Sequence, residues 1–231
     1  MMTSTDGSIP PVMTTSDLPR TKAAPVARKT RRQAAPEAAA ADARATLTPE
    51  TWVDAATAVL VDQGIDHVRV DVLATQLGVT RGSFYWHFRD RQDLLRRVLA
   101  GWREQSTVQL TNRLSNPRSS AAEQLHDVIS LPFRGRAAQR AARIELAIRA
   151  WARRDEMARA AVDEADAARI GYHASLFAAL GYDANEAQHR AFLLYGYEVA
   201  ESLMSGQGTA AQRQARRAFV ERLVVRGTAP A

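Results

Sequence analysis

The chain contains no cysteine, and this absence excludes several classes of protein at once. Without thiols there is no disulfide scaffold, no cysteine-ligated zinc or iron–sulfur site and no thiol nucleophile. No apolar run approaches the roughly 18 residues that cross a bilayer, and residues 1–15 lack the basic start and apolar core of a secretion signal. We therefore expect a soluble, cytoplasmic protein that does not contact a membrane.

Motifs for catalysis are equally scarce. The sequence has no glycine-rich phosphate loop and no recognisable Ser–His–acid arrangement. His126, His173 and His189 are isolated, without a second histidine or a carboxylate at the spacing of metal ligands. The sequence therefore predicts no enzyme, no cofactor and no metal site.

What the chain has in excess is arginine. It carries 31 Lys+Arg against 25 Asp+Glu, a net charge of +6 that suggests a polyanionic partner. The net charge is +3 over residues 1–47, −1 over 48–102 and +4 over 103–231. Residues 1–47 mix basic residues with proline and alanine, so we expect a disordered tail. Three interpretations stay open for it: an arm along a phosphate backbone, a solubilising extension, or residues upstream of a later start at Met13.

Ordered structure is predicted from Thr48 onward. Thr48 suits the cap of a helix that Pro49 begins, and apolar residues then recur every three or four positions. Two short helices follow, over Val70–Leu77 and about Arg81–His87, with Gly78 between them, and this arrangement indicates a helix-turn-helix. The second short helix is polar, aromatic and basic, which suits a DNA groove better than a protein core.

The segment Leu73–Leu95 has the sequence LATQLGVTRGSFYWHFRDRQDLL and resembles the DNA-binding domain of the tetracycline-repressor (TetR/AcrR) family of transcriptional regulators. The resemblance extends from Pro49 to Leu99. It implies an all-α fold in which an N-terminal three-helix helix-turn-helix domain is joined by a long helix to a C-terminal helical ligand-binding and dimerisation domain. After the tail, the corresponding domains are residues 48–92 and 93–231.

The resemblance also implies which residues contact DNA. They are Arg69, Thr80, Arg81, Gly82, Ser83, Tyr85, Trp86, His87 and Arg91. Arg81 is suited to base reading because its planar fork can bond O6 and N7 of guanine together, and Arg91 matches the family's phosphate-binding position. Trp86 has two interpretations, packing in the core or contacting DNA. Arg69 stands where the family usually has a hydroxyl residue, so we expect Asp71 to cap that helix while Arg69 meets a phosphate by charge.

The remainder of the chain predicts helices only. Asp90 suits the cap of a long helix towards Leu114, which Asn116-Pro117 would end. The other predicted helices are Ser119–Leu131, Ala137–Arg154, Asp155–Leu180, Asn185–Leu203 and Ala210–Arg226. No segment alternates with the period of a strand, so the fold class is all-α.

Two kinds of partner are expected in the C-terminal half. The penultimate helix is apolar around more than one face, which indicates contact with its own body and with a second molecule. The resemblance adds a homodimer built on the last two helices, and a small-molecule inducer. Candidate inducer-binding residues are the large side chains Trp102, Phe133, Trp151, Tyr172, His173, Phe177, Phe192 and Tyr195. The alternative for each is a place in the hydrophobic core.

The predicted function is a sequence-specific DNA-binding transcriptional regulator. It would act as a homodimeric repressor that leaves a palindromic double-stranded DNA operator when an inducer fills the C-terminal half. Its location would be cytoplasmic, at the nucleoid through DNA binding. The alternative function is a constitutive or architectural DNA-binding protein with no small-molecule inducer.

Overall fold

A computed structural model describes residues 47–114, 118–131, 135–204 and 206–226. Within these ranges every regular element is a helix, which confirms the predicted all-α fold class. None of the described helices is long and apolar enough to cross a bilayer, and the described residues include no group of three potential metal ligands. The predicted tail, apart from residue 47, and the helix stop at Asn116-Pro117 lie outside the described residues.

Three helices form the N-terminal head: α1 (Pro49–Gln63), α2 (Val70–Gln76) and α3 (Arg81–Phe84). Thr48 caps α1 as predicted, because its side chain accepts a hydrogen bond from the backbone N–H of Thr51. The side chain of Thr51 bonds back to the N–H of Thr48, so the two residues form a capping box. The first turn of the head is therefore fixed by local hydrogen bonds.

The turn and the helix of the predicted helix-turn-helix are both present. Gly78 separates α2 from α3 with φ of +67°, a left-handed conformation that glycine adopts without strain. Helix α3 is shorter than the predicted Arg81–His87, because the chain tightens into three-residue turns after Phe84. The N–H of Tyr85 bonds to the carbonyl of Gly82, and that of His87 bonds to the carbonyl of Phe84.

The described elements of the C-terminal body are all helical. Its elements are α4 (Arg91–Arg103), a π-helical segment (Glu104–Val108), α5 (Gln109–Leu114), α6 (Ala121–Ser130), α7 (Arg136–Ala152), α8 (Glu156–Ala179), α9 (Ala184–Leu203) and α10 (Ala210–Arg226). Asp90 caps α4 as predicted, accepting a 2.7 Å bond from the N–H of Asp93. The long predicted helix is thus confirmed, with an unpredicted π-helical segment inside it.

Two hydrophobic clusters hold the helices together. The first joins the head to α4, α7 and the first half of α8, and includes Trp52, Phe84, Leu94 and Trp151. The second joins α6, the second half of α8, α9 and α10. The first cluster crosses the predicted domain boundary after residue 92, so the head is packed onto the body as well as linked to it. Between the two clusters lies the polar interior described below.

Candidate nucleic-acid interface and interior cavity

Helix α3 is attached to the head by three aromatic rings. Phe84 is fully buried, packs edge-on against Trp52 at 5.3 Å and stacks on Phe88 at 5.3 Å between ring centroids. These contacts bury much apolar area on one side of a helix of only four residues. Because one side is fixed in this way, the opposite side of α3 and the turn after it face solvent.

The exposed side of α3 carries most of the predicted DNA-contacting residues. Exposed there are Thr80, Arg81, Gly82, Tyr85 and Trp86. The side chain of Trp86 is 87% exposed, so the interpretation that it packs in the core is wrong. With Tyr85 also exposed, the two aromatic side chains are available to a partner at this surface.

Other residues of this segment turn inward. Ser83 is buried, and its Oγ donates to the carbonyl of Thr80 at 3.1 Å. Thr80 occupies the N-cap position of α3, but its own side chain makes no capping bond. His87 is half-buried beside Phe88, with 6.5 Å between the ring centroids. Ser83 therefore supports the first turn of α3, while the Thr80 hydroxyl stays at the surface.

The N-terminus of α2 differs from what we expected. Arg69 occupies the N-cap position, and its side chain makes no capping bond. Its guanidinium instead donates to Asp71, from Nε to Oδ1 at 3.2 Å and from Nη2 to Oδ2 at 2.7 Å. The expectation that Asp71 caps α2 is thus wrong, since Asp71 lies inside the first turn and its carboxylate oxygens face the arginine fork. Both side chains are exposed on the surface of the head.

Arg91 has an internal contact that sequence reasoning missed. Its Nε donates to the carbonyl of Val68 at 2.6 Å, and its Nη2 donates to the carbonyl of Ile65 at 2.8 Å. These carbonyls belong to the link between α1 and α2, so the guanidinium joins the start of α4 to the helix-turn-helix. No local pattern signals such a contact, because its partners lie more than twenty positions away in the sequence.

A cavity of about 430 Å³ lies inside the body. It is lined by the π-helical segment, α5, the end of α6, the first half of α7, α8 and α9. Of the predicted inducer-binding residues, Tyr172, His173 and Tyr195 line it. The size is within the range of small-molecule sites in proteins, which is about 300–1,000 Å³.

One wall of the cavity is a network of paired charges. Arg149 donates to Glu145 at 2.8 Å and to both carboxylate oxygens of Asp166. Arg169 donates to both oxygens of Glu145 at 3.0 Å. The hydroxyl of Tyr195 accepts from both arginines and donates to Asp166. The network joins α7, α8 and α9 through hydrogen bonds that burial makes strong.

Burial shifts the titration of the groups around the cavity. It raises the pKa of Tyr195, which therefore keeps its proton and remains a donor to Asp166. It lowers the pKa of His173 to about 4, with the charge of Arg169 acting in the same direction, so this imidazole is neutral at neutral pH. Burial also raises the pKa of Glu198 well above its usual range, although Arg169 opposes that shift.

Several predicted inducer-binding residues are placed elsewhere by the structure. Trp102, Trp151 and Phe177 pack in the hydrophobic clusters and do not line the cavity, because their apolar surface is buried between helices. Phe192 is 65% exposed on the outer side of α9. Phe133 lies outside the described residues. The structure therefore places four of the predicted inducer-binding residues away from the cavity: Trp102, Trp151, Phe177 and Phe192.

Comparison with known proteins identifies the head. Residues 53–98, from α1 into α4, match the family model described as "Bacterial regulatory proteins, tetR family". The head is therefore similar to the DNA-binding domain of the TetR family. Two relatives, "HTH-type transcriptional regulator SrpR" and "Uncharacterized HTH-type transcriptional regulator TtgW" from Pseudomonas putida, are each 38% identical over 77 residues. The matched segment covers 33% of this chain, 36% of SrpR and 58% of TtgW, so the chain spans only part of either relative.

Solved structures share the fold of this chain at low sequence identity. A transcriptional regulator from Rhodococcus sp. Rha1 has a TM-score of 0.62 at 18% identity, over 80% of this chain and 100% of that chain. A regulator from Saccharomonospora viridis in complex with choline has a TM-score of 0.61 at 17% identity, over 81% and 97%. FadR from Bacillus subtilis, in complex with stearoyl-CoA, has a TM-score of 0.57 at 19% identity, over 79% and 100%. These likenesses show the predicted architecture, a helix-turn-helix followed by a helical body.

The charged residues of the cavity were not found by sequence reasoning. Glu145 and Arg149 lie four positions apart on α7, and Asp166 and Arg169 lie three apart on α8. Such spacing puts each pair on one face of its helix, but it is also typical of exposed surface pairs. Only the packing of the two helices shows that these pairs face each other inside the body.

Proposed function

We propose that this protein is a homodimeric repressor of the TetR family that binds a palindromic operator and releases it when a small molecule occupies the cavity. The observation that carries the proposal is the solvent-facing side of α3, with Arg81, Tyr85 and Trp86 exposed beside a buried Phe84. A rigidly seated helix with a basic and aromatic outer face matches the requirements of the DNA major groove. Such a protein acts in the cytoplasm, at the nucleoid.

Each exposed residue has a proposed role at the DNA. Arg81 is exposed and has no ion pair with any described residue, so its fork is available to a guanine. Thr80, Tyr85 and Trp86 contact the phosphate backbone and nearby bases. Supporting contacts come from Arg69 at a phosphate and from Gly82, His87 and Arg91 near the ends of α3. The buried Ser83, which was also predicted to contact DNA, supports the first turn of α3 instead. Arg91 acts mainly by holding the head in shape, given its bonds to backbone carbonyls.

A second copy of the chain is proposed to cover the outer face of the last two helices. Six large apolar side chains are exposed there: Phe192, Leu193, Leu203, Met204, Phe219 and Leu223. On α9 the buried residues Ala191 and Leu194 face the body, so this helix has apolar surface on two sides, as its sequence predicts. A two-fold pairing through this face would set two heads against two half-sites about 34–36 Å apart or a multiple of that distance.

Coupling between cavity and head follows from their shared helix. Helix α4 begins in the head and continues into the π-helical segment, where Gln105 and Ser106 line the cavity. Arg103, at the end of α4, forms an ion pair with Glu164 of α8. A ligand that binds better when α4 is tilted away from the DNA-bound position would shift the protein to the released state. A relative affinity of about 10⁴, or about 5.5 kcal/mol, would make this shift nearly complete.

Ligand complexes of two neighbours support a ligand-binding role for the body. The Saccharomonospora viridis regulator is in complex with choline, and the Bacillus subtilis FadR with stearoyl-CoA. The alternative of a constitutive or architectural DNA-binding protein makes no use of the cavity. An effect of a small molecule on operator binding distinguishes the two functions.

The test of the proposal has two stages. Purified protein is first used to select bound DNA from a random pool, and we expect enrichment of a two-fold symmetric site. Binding to that site is then followed by fluorescence anisotropy while small molecules are added, and a saturable release is expected. Recovery of random sequences would contradict specific recognition, and operator binding that no cavity-sized compound changes would favour the constitutive function.

A further inference from the structure

Glu198 is the acidic residue of the cavity that lacks a partner of opposite charge. It lies on α9 one turn after Tyr195 and lines the cavity, with 13% of its side chain exposed. Its Oε1 is buried and accepts no hydrogen bond from the described residues. The ring nitrogen Nε2 of His173 approaches Oε1 only to 3.7 Å. A buried carboxyl oxygen without a donor is costly, so its place on a cavity wall indicates a missing donor.

Among the described residues, no cation of the interior is left to neutralise Glu198. Arg149 and Arg169 face three acids, and their hydrogen bonds go to two of these, Glu145 and Asp166. Arg169 also donates to the hydroxyl of Tyr195 and to the carbonyl of Ser106. Glu198 is the remaining acid.

The neighbouring imidazole does not supply the charge either. Burial and the charge of Arg169 lower the pKa of His173 to about 4, so it is neutral at neutral pH. Burial, aided by Glu145 and opposed by Arg169, raises the pKa of Glu198 well above its usual range. Glu198 is therefore expected to be a neutral acid that loses its proton when a cation binds beside it.

We propose, building on the ligand-binding role proposed above, that the cavity binds an organic cation: a protonated amine that pairs with Glu198. The rest of the lining suits such a ligand. Ala138, Ala141 and Val199 offer apolar contacts, and the ring of Tyr172 offers an aromatic face that attracts cations. Asp127 adds a further acidic side chain to the lining. Binding exchanges one positive charge for another, since the ammonium enters and the proton of Glu198 leaves to solvent.

An anionic ligand is less well matched to this interior. Nε of Arg169 is buried without a hydrogen-bond partner among the described residues and could donate to a ligand acceptor. However, the arginine among the described lining residues, Arg169, is already paired with Glu145. An anion would have to compete with that carboxylate for the guanidinium, which opposes its entry.

The test compares ligands that share a skeleton and differ in charge. Three amines, benzylamine, tryptamine and 4-phenylbutylamine, are titrated into the full-length protein at pH 6 by calorimetry, alongside the alcohol and the carboxylate of each skeleton. We expect at least one amine to bind at least about tenfold more tightly than its alcohol and its carboxylate. Repeating the titration in buffers of different ionisation enthalpy should show release of close to one proton per chain.

Matched variants assign the effect to one carboxyl. Glu198→Gln has the shape of the neutral acid, so it should fold, keep the affinity for the alcohol, and lose both the amine preference and the proton release. Asp163→Asn removes an exposed charge of α8 that does not line the cavity, and this protein should retain both. Tighter binding of a carboxylate, failure of all three amines to bind, or unchanged amine binding by the Glu198→Gln protein would overturn the proposal.

Operator release is measured separately so that the two proposals can fail independently. If alcohols or carboxylates release the selected operator and amines do not, the repressor function stands and the cation site is wrong. If amines bind with proton release while operator affinity is unchanged, the cation site stands and the ligand-responsive function is wrong.

Discussion

Nη2 of Arg169 donates a hydrogen bond to the carbonyl oxygen of Ser106 at 3.3 Å. Ser106 lies in the π-helical segment that continues α4, so a guanidinium of the cavity wall touches the helix that begins in the DNA-binding head. Within a π-helical turn the hydrogen bonds are longer-range along the chain, and such turns are frequent at functional sites. Because Arg169 bonds to this helix, a ligand that moves Arg169 would act directly on the helix that begins in the head.

Removing Arg169 should destabilise the body. In an Arg169→Met protein, Glu145 keeps Arg149 but loses its second guanidinium, and Tyr195 loses a donor. We expect the free energy of unfolding to fall by about 2–4 kcal/mol, measured by urea denaturation. The control Arg153→Met changes an exposed arginine at the end of α7 and should alter stability by less than about 0.5 kcal/mol. Equal effects of the two changes would mean that the network adds nothing to stability.

Arg81→Ala should relax base preference. Loss of a bidentate contact is expected to cost about 1–3 kcal/mol on the selected operator and little on random DNA, because random DNA is held through phosphates. Anisotropy titrations with operator, single-base variants and random duplexes measure both effects. An equal loss on operator and random DNA would assign Arg81 to a phosphate instead. Arg97→Ala, an exposed arginine of α4, serves as the control.

Arg91→Ala should affect both folding and DNA binding. The carbonyls of Ile65 and Val68 lose a charged donor, so we expect a loss of about 2–3 kcal/mol in the free energy of unfolding. DNA affinity should fall alike for all sequences, and the slope of log affinity against log salt should drop by about one if the side chain also meets a phosphate. Unchanged stability would show that the bonds of Arg91 to these carbonyls do not stabilise the head. A base-selective loss of DNA affinity would contradict a phosphate contact.

A charge on the outer face of α9 should prevent dimerisation. Phe192→Asp puts a carboxylate into the proposed apolar interface, where it would be buried without a partner. We expect a monomer by sedimentation velocity and a large loss of affinity for the two-fold operator. The control is Leu146→Asp, which puts the same charge at an exposed leucine of α7 and should leave the assembly unchanged. A wild-type protein that sediments as a monomer would contradict the proposed interface directly.

Stability should depend on pH through His173. Its pKa is lowered from 6.5 to about 4, chiefly by burial and then by Arg169, so the folded state favours the neutral ring. This contribution is complete above pH 6.5 and is lost as the pH falls from 6.5 towards 4, by up to about 3 kcal/mol. Glu198 titrates with the opposite sign, since its raised pKa makes stability fall as pH rises. Comparing wild type with His173→Gln by urea denaturation isolates the histidine, and identical pH profiles would contradict the prediction.

The head could be derived almost completely from local sequence patterns. The cap at Thr48, the glycine turn at Gly78 and the apolar periodicity depend on residues close together in the chain, and the structure has them where they were predicted. The bonds of Arg91 to Ile65 and Val68 were not derivable, because they join positions that only the folded head brings together. The exposure of Trp86 likewise depends on the tertiary structure, because Phe84 takes the core position and leaves Trp86 at the surface.

By itself, then, the sequence determined the helical fold class, the approximate positions of the helices and the resemblance of the head to the TetR family, since all three depend on spacing along the chain. Tertiary structure decided the interior of the body. A tryptophan or a phenylalanine at helical spacing packs in the core or lines a cavity according to how neighbouring helices approach, and Trp151 and Tyr195 took different places. The absence of cysteine excludes disulfides, thiolate metal sites and thiol nucleophiles from the sequence alone. The unpaired carboxyl of Glu198 depends on the tertiary structure, because packing directs Arg149 and Arg169 to other acids.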